Sequence, residues 1–333
     1  MGVSKHTAKA APSGSRLEKV HVLSHPAFAP TAAAWWALIG VQICFASFPA
    51  TGKLALQGFS PWALCFWRVA CAALVFAVLA AWRHGRKALP TWGELIPAVL
   101  LSLLGITLNQ LFFLLGLAHS SAVRGGLLVM IIPIMTLAWA VLRRHERLGL
   151  RRAAGVGCAA LGVLLLVGDS LFADGFSADG FFLANAACYA VYLVEVRRLL
   201  QRHAPVVVVA WMFVLALPPV AWLAHNETLW PVTATLGQQT ALLWVVLVPT
   251  VFAYLLNIYA LQRLAASVTA VFVCFQPLLA GSLAVVLLGE TLSWRDGATF
   301  VLVVFGVWLA SRDNTAHKHA NSAESQGSGQ GSR

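Results

Sequence analysis

The stretch Pro133–Gly162 reads PIMTLAWAVLRRHERLGLRRAAGVGCAALG, and Pro277–Gly306 reads PLLAGSLAVVLLGETLSWRDGATFVLVVFG. Laid one over the other without a gap, they pair Pro133 with Pro277, Glu146 with Glu290, Leu148 with Leu292, Arg151 with Arg295 and Gly162 with Gly306, each 144 residues apart. The same shift carries back toward the N-terminus. Cys44 meets Cys188, Pro61 meets Pro205, Trp67 meets Trp211, Gly93 meets Gly237 and Leu117 meets Leu261. Alanine and leucine pairs would coincide by chance in so apolar a chain. Proline, tryptophan and glutamate at one constant offset would not, so the chain is a tandem duplication. Each copy reads as five apolar blocks, and an odd number of membrane crossings turns the second copy over relative to the first. That is the inverted-repeat plan of secondary transporters.

Composition points the same way. Of the 333 residues, 59% are hydrophobic and 11% charged, against about 25% charged in ordinary soluble domains. The apolar residues come in blocks long enough for a bilayer, which a helix crosses in about 20 residues. The blocks lie at 33–52, 61–82, 94–117, 122–142, 151–168, 178–197, 204–224, 238–260, 265–288 and 296–311. The expected fold is an all-α membrane protein of ten transmembrane helices, arranged as two inverted five-helix repeats at 33–168 and 178–311. Residues 1–32 read as a cytoplasmic tail and 312–333, rich in Ser, Gly and Gln, as a disordered one. The first block is too long for a signal-peptide core and is matched by the sixth, so it is expected to stay uncleaved.

The net charge of +11 sets topology instead of marking a nucleic-acid surface. With the N-terminus inside, 19 of the 23 Lys and Arg fall on the cytoplasmic side, in the tails and in the loops around residues 83–87, 143–152, 197–202 and 263. Lys53, Arg124 and Arg295 fall on the other side, and Arg68 lies inside a block. Such asymmetry is the positive-inside signal, which puts both termini in the cytoplasm; the expected location is a bacterial cytoplasmic (inner) membrane. The opposite-side loop 169–179 carries Asp169, Asp174 and Asp179. All six cysteines lie within blocks and none forms a CxxC pair, so they read as small apolar filler, not as disulfides or metal ligands.

Several segments resemble the EamA-like branch of the drug/metabolite transporter superfamily. In the first half they are Asn109–Leu117 (NQLFFLLGL), Ser120–Leu127 (SSAVRGGL), Ile132–Ile134 and Arg144–Leu148 (RHERL). Their counterparts are Leu256–Leu261 (LNIYAL), Ser267–Ala270 (SVTA), Gln276–Leu278 (QPL) and Gly289–Leu292 (GETL). The resemblance covers about residues 33–311 and is specific for fold, weak for substrate. It implies eight helices around a central cavity, with the fifth and tenth packed outside.

A transporter needs a polar site near the midplane and bending points that close either end. Pro133 and Pro277 sit mid-block at equivalent places, each lacking a backbone donor; they read as hinges or as packing kinks. Intramembrane polar residues are costly and face the interior. Asn109 and Gln110 lie in the third block, with Tyr254 and Asn257 the equivalents in the eighth of Gln110 and Phe113. Asn185, Tyr189 and Tyr192 form one stripe of the sixth block, Gln42 lies in the first, and Gln276 adjoins its hinge proline. Together they describe an aromatic-walled cavity with amide and phenol handles, or else a set of interhelical hydrogen bonds. Arg68 stands about 10 Å into the second helix at 1.5 Å per residue. It reads as a snorkelling cation or as a partner for a carboxylate or phosphate; Met212 replaces it in the second half.

No acidic or histidine chain runs deep in the membrane, so proton coupling finds no support. Eleven of the twelve acids fall in loops, at helix ends or in tails; Glu195 lies within a span near its cytoplasmic end, beside Arg197 and Arg198, where a structural ion pair is expected. Glu146 and Glu290 fall on opposite faces and read as parts of the turns before the next helices, with Ser293 and Asp296 forming a capping box. A membrane-embedded enzyme, such as a lipid-headgroup transferase, would gather its acids and histidines on one face, whereas here they are scattered. No nucleotide-binding loop is present to couple ATP hydrolysis, and two unlike halves do not build a channel's selectivity ring. The reading is a secondary carrier for a small amino-acid-like or drug-like solute, most naturally an exporter. It implies no cofactor and no metal, takes the solute and the bilayer as partners, and leaves room for a homodimer.

Overall fold

A computed structural model describes residues 31–144, 149–173, 178–261, 263–264, 272 and 275–311. Expectations placed on the two tails, on Glu146, on the side chains of Asp169 and Asp174, on Ser267–Ala270 and on Cys274 lie outside the described residues. Among those described, every regular element is helical and none is a strand. In chain order they are α1 (Ala32–Ala55), α2 (Pro61–His84), α3 (Trp92–His119), α4 (Ala122–Leu142) and α5 (Leu150–Ala173). The second half has α6 (Ala178–Glu195), α7 (Pro205–Leu223), α8 (Leu236–Ala260), α9 (Gln276–Leu288) and α10 (Trp294–Ser311). The eight helices from α1 to α8 are long and apolar enough to cross a membrane. α9 is shorter, at 13 residues.

Helix starts recur at the 144-residue shift with their chemistry. Proline opens both α2 and α7, where its missing N–H costs nothing. α3 and α8 open on capping boxes at equivalent positions. The Thr91 amide donates to the Glu94 carboxylate at 3.2 Å, and the Thr235 amide to the Gln238 side-chain oxygen at 2.8 Å. The box read at the start of α10 is also present, with Ser293 N donating to Asp296 Oδ2 at 2.7 Å and Asp296 N to Ser293 Oγ at 3.3 Å. Gly289 ends α9 at φ 66°, a left-handed turn that glycine adopts without a Cβ clash.

α3 and α8 share a feature the sequence did not announce. Each passes through a π-helical segment, Leu103–Leu108 and Leu247–Phe252, again 144 residues apart. Pro249 sits in the second, where its missing N–H interrupts the α ladder. Gly105 holds the same place in the first, and a Cβ there would collide with the Tyr192 ring. Such bulges are rare and concentrate at functional sites.

Lipid offers helices no hydrophobic gain from pairing with each other, so they associate by close packing and hydrogen bonds. α5 and α10 pack chiefly against one another. A Cβ on Gly155 would stand 2.5 Å from the Gly306 carbonyl oxygen, and one on Gly306 2.5 Å from the Gly155 oxygen. The 144-residue shift turns the pair 155–306 into 299–162, and Thr299 Oγ1 does bond the Gly162 carbonyl at 2.9 Å. One contact is therefore made twice, with the halves exchanged. α2 and α7 behave alike: the Trp67 indole N–H donates to Leu229 O at 2.8 Å and its equivalent, Trp211, to Ala88 O at 2.5 Å. On the outside, apolar side chains such as Leu74, Trp82 and Val286 are more than two-thirds exposed, a surface suited to lipid and not to water.

Candidate substrate site

α2 presents Arg68 to the interior, where it is 5% exposed. The side chain turns inward and makes its contacts on α1 and α8. Its guanidinium carbon lies 3.9 Å from the centre of the Phe48 ring on α1, within cation–π range. Its Nε donates to Thr250 Oγ1 at 3.0 Å. Thr250 belongs to the π segment of α8, and its own hydroxyl donates to the Val245 carbonyl at 2.8 Å. That carbonyl is free because Pro249, four residues on, has no N–H to give it. With its proton so committed, the Thr250 oxygen faces Arg68 with its lone pairs. Arg68 Nη1 is buried with no partner among the described residues.

Aromatic rings surround this group. Phe48 stacks on Phe113 at 4.9 Å, and Phe113 meets Phe182 edge-on at 5.4 Å. Tyr254 is half-buried and makes edge contacts with Phe213 at 5.3 Å, Phe45 at 5.9 Å and Phe76 at 6.2 Å. Tyr189 and Tyr192 stack at 5.6 Å, with Tyr192 lying against Gly105 of the other π segment. Tyr192 of the sixth block and Tyr254 of the eighth therefore face the same apolar cluster.

The expected amides divide. Asn185 Nδ2 donates to the Asn109 carbonyl at 2.7 Å, and Asn109 Nδ2 to the Asn185 carbonyl at 3.4 Å, a reciprocal clasp between α3 and α6. Beyond that clasp, Asn185 Oδ1, Gln42 Oε1, Gln110 Oε1 and Thr107 Oγ1 are buried without a partner among the described residues. Asn257 and Gln276 are half-buried, and among the described residues no hydrogen bond ties them to the Arg68 group. Pro133 is the second residue of the α-helical stretch Ile132–Leu142, just after a 3₁₀ turn at Val129–Ile131. The Val129 carbonyl, which Pro133 cannot reach, takes the Ile132 amide instead. Pro277 is likewise the second residue of α9, and it is buried.

Charged residues read as loop features turn out to tie the ends together. The Lys53 ammonium donates to the carbonyls of Leu117 at 2.7 Å and Ser120 at 2.5 Å, closing the C-terminus of α3. Glu290 does not serve its own turn: its carboxylate accepts from Ala122 N at 2.8 Å and Val123 N at 2.9 Å, capping α4 from the other half of the chain. Arg124 pairs with Asp179. The ion pair expected at Glu195 is made with Arg143, at 2.9 Å, not with its neighbours Arg197 and Arg198. Sequence proximity missed these partners because all of them are tertiary.

Eight helices able to cross a bilayer, lipid-suited outside and polar at isolated points within, define a multi-pass membrane protein. The chain belongs to the EamA-like transporter family, whose model matches residues 31–168 and again 176–312. It is 26% identical over 275 residues to an uncharacterized transporter of Archaeoglobus fulgidus, covering 80% of this chain and 92% of that one. It is 25% identical to the uncharacterized inner membrane transporter YicL of Salmonella typhimurium, covering 76% and 86%. Similarity to the Arabidopsis thaliana WAT1-related protein At4g01440 is 30% over 120 residues, about a third of each chain. One crystal structure shares the fold at TM-score 0.59 and 18% identity, covering 84% of this chain and 97% of that one.

Proposed function

We propose that this protein is a secondary transporter that exports a small amino-acid-like or drug-like metabolite across the bacterial cytoplasmic membrane. It does so by alternating access between two inverted five-helix repeats. In this reading α9 and α10 complete ten spans, both termini are cytoplasmic, and the halves rock about the polar site they share. The observation that carries the reading is the bond between Arg68 of the first half and Thr250 of the second. Rocking the halves apart would break it and bare the guanidinium to one side. Support comes also from the exchanged contacts of α5 with α10, which fit two halves related by a two-fold rotation. The cavity is assigned to Gln42, Arg68, Asn109, Gln110, Asn185, Tyr189, Tyr192, Tyr254, Asn257 and Gln276, with Pro133 and Pro277 as hinges. Metabolite profiling of cells with and without the chain tests the function. An exporter lowers one compound class inside and raises it in the medium, whereas unchanged profiles in both compartments would contradict export.

A further inference from the structure

We propose that the solute is an organic monoanion, a carboxylate on an aromatic or branched apolar body, and that its carboxylate pairs with Arg68 Nη1. The inference rests on the carrier reading for its physiological meaning, but not for its chemistry. A guanidinium stays charged in any protein setting, and a buried charge is tolerated when it is paired. Among the described residues Arg68 has no carboxylate within ion-pair distance. Its compensation is one hydroxyl oxygen and one ring face, and its Nη1 has no partner among the described residues. The missing partner is therefore an anion that the described residues do not supply.

The surroundings narrow its kind. Lys53, the other cation of α1 and α2 facing the interior, is spent on backbone carbonyls, so a dianionic phosphate would find half its charge unmet. Phe48 lies against the guanidinium, and Phe45, Phe76 and Phe213 pack around Tyr254, an aromatic wall suited to an apolar or aromatic body once the halves part. The described acids lie at helix ends, and Asp179, Glu195 and Glu290 already hold partners, which leaves no anion beside Arg68 for a substrate ammonium. Thr250 fixes the guanidinium plane through Nε, so that the Nη edge is presented in one orientation, as a planar carboxylate requires.

Binding tests this apart from transport. The full-length protein, purified in detergent, is titrated with benzoate, 3-phenylpropanoate and 4-methylpentanoate, with the amide of each, and with inorganic phosphate, followed by thermal stabilisation. At least one carboxylate should bind at least about ten-fold more tightly than its amide, as one charge-assisted bond provides, and phosphate should bind more weakly. Arg68→Gln should bring that carboxylate to the level of its amide, Arg68→Lys should restore it in part, and Thr250→Val should weaken it several-fold. If Arg68→Gln does not fold, Thr250→Val reports alone. Carboxylates no tighter than amides, phosphate tighter than both, or a carboxylate preference that survives Arg68→Gln and Thr250→Val would overturn the proposal. A protein that binds these anions but exports nothing would overturn the carrier reading instead.

Discussion

Thr250 can hold Arg68 because Pro249 precedes it. Replacing that proline by alanine returns an N–H to the Val245 carbonyl, which would then release the Thr250 hydroxyl. Pro249→Ala is therefore expected to raise the thermal midpoint, since a helix interior gains a residue worth up to about 3 kcal/mol over proline, while transport slows. A variant that transports at the wild-type rate would separate the π segment from the site. Gly105→Ala probes the matching place in the first half. Its Cβ must displace the Tyr192 ring, and overpacking of this kind costs roughly 1–3 kcal/mol. Lower stability and slower transport are expected, and measurable in the same preparation. Arg68 was legible in the sequence because one charge in an apolar run stands out. Phe48 was legible only as the repeat equivalent of Tyr192, and Thr250 not at all, since a threonine in a membrane helix has no reason to be singled out until the fold brings it to Arg68. The Gly105–Pro249 correspondence was the available signal for the π segments.

Among the elements, α4 is broken by a 3₁₀ turn just before Pro133, and Pro277 stands at the start of the described α9. The 3₁₀ turn before Pro133 and the helix start at Pro277 place a weak point in equivalent helices. If these are hinges, Pro133→Ala and Pro277→Ala slow transport while ligand binding in detergent is kept, because the cavity contacts remain and only the exchange between states changes. Unaltered rates in both would leave the prolines as packing features. Glu290 is a different device, a carboxylate on a helix N-terminus where unfilled N–H groups and the dipole favour it. Glu290→Ala should cost about 1 kcal/mol, the usual loss of such a cap, seen as a lower thermal midpoint. An unchanged midpoint would argue that water replaces it. Helix positions and caps within one element were readable from apolar blocks and Ser/Thr–acid spacing. Glu290 on α4, Lys53 on α3 and Arg143 on Glu195 were not, because each joins residues far apart in the chain.

The whole molecule stands on the duplication. Its offset was visible in Pro, Trp and Glu pairs, and the structure extends it to capping boxes, π segments and exchanged contacts. The repeat accounts for these without further assumptions, whereas the substrate depends on a few side chains that differ between the halves. Gly93 and Gly237 give the most direct test of the inversion. They are repeat equivalents, both are exposed, and a Cβ at either meets nothing closer than 3.9 Å. In a background without native cysteines, Gly93→Cys and Gly237→Cys would each be treated with a membrane-impermeant maleimide on intact and on opened cells. The account predicts that Cys at 237 labels from outside in intact cells, while Cys at 93 labels only once the cytoplasm is opened. Labelling of both from the same side would contradict it.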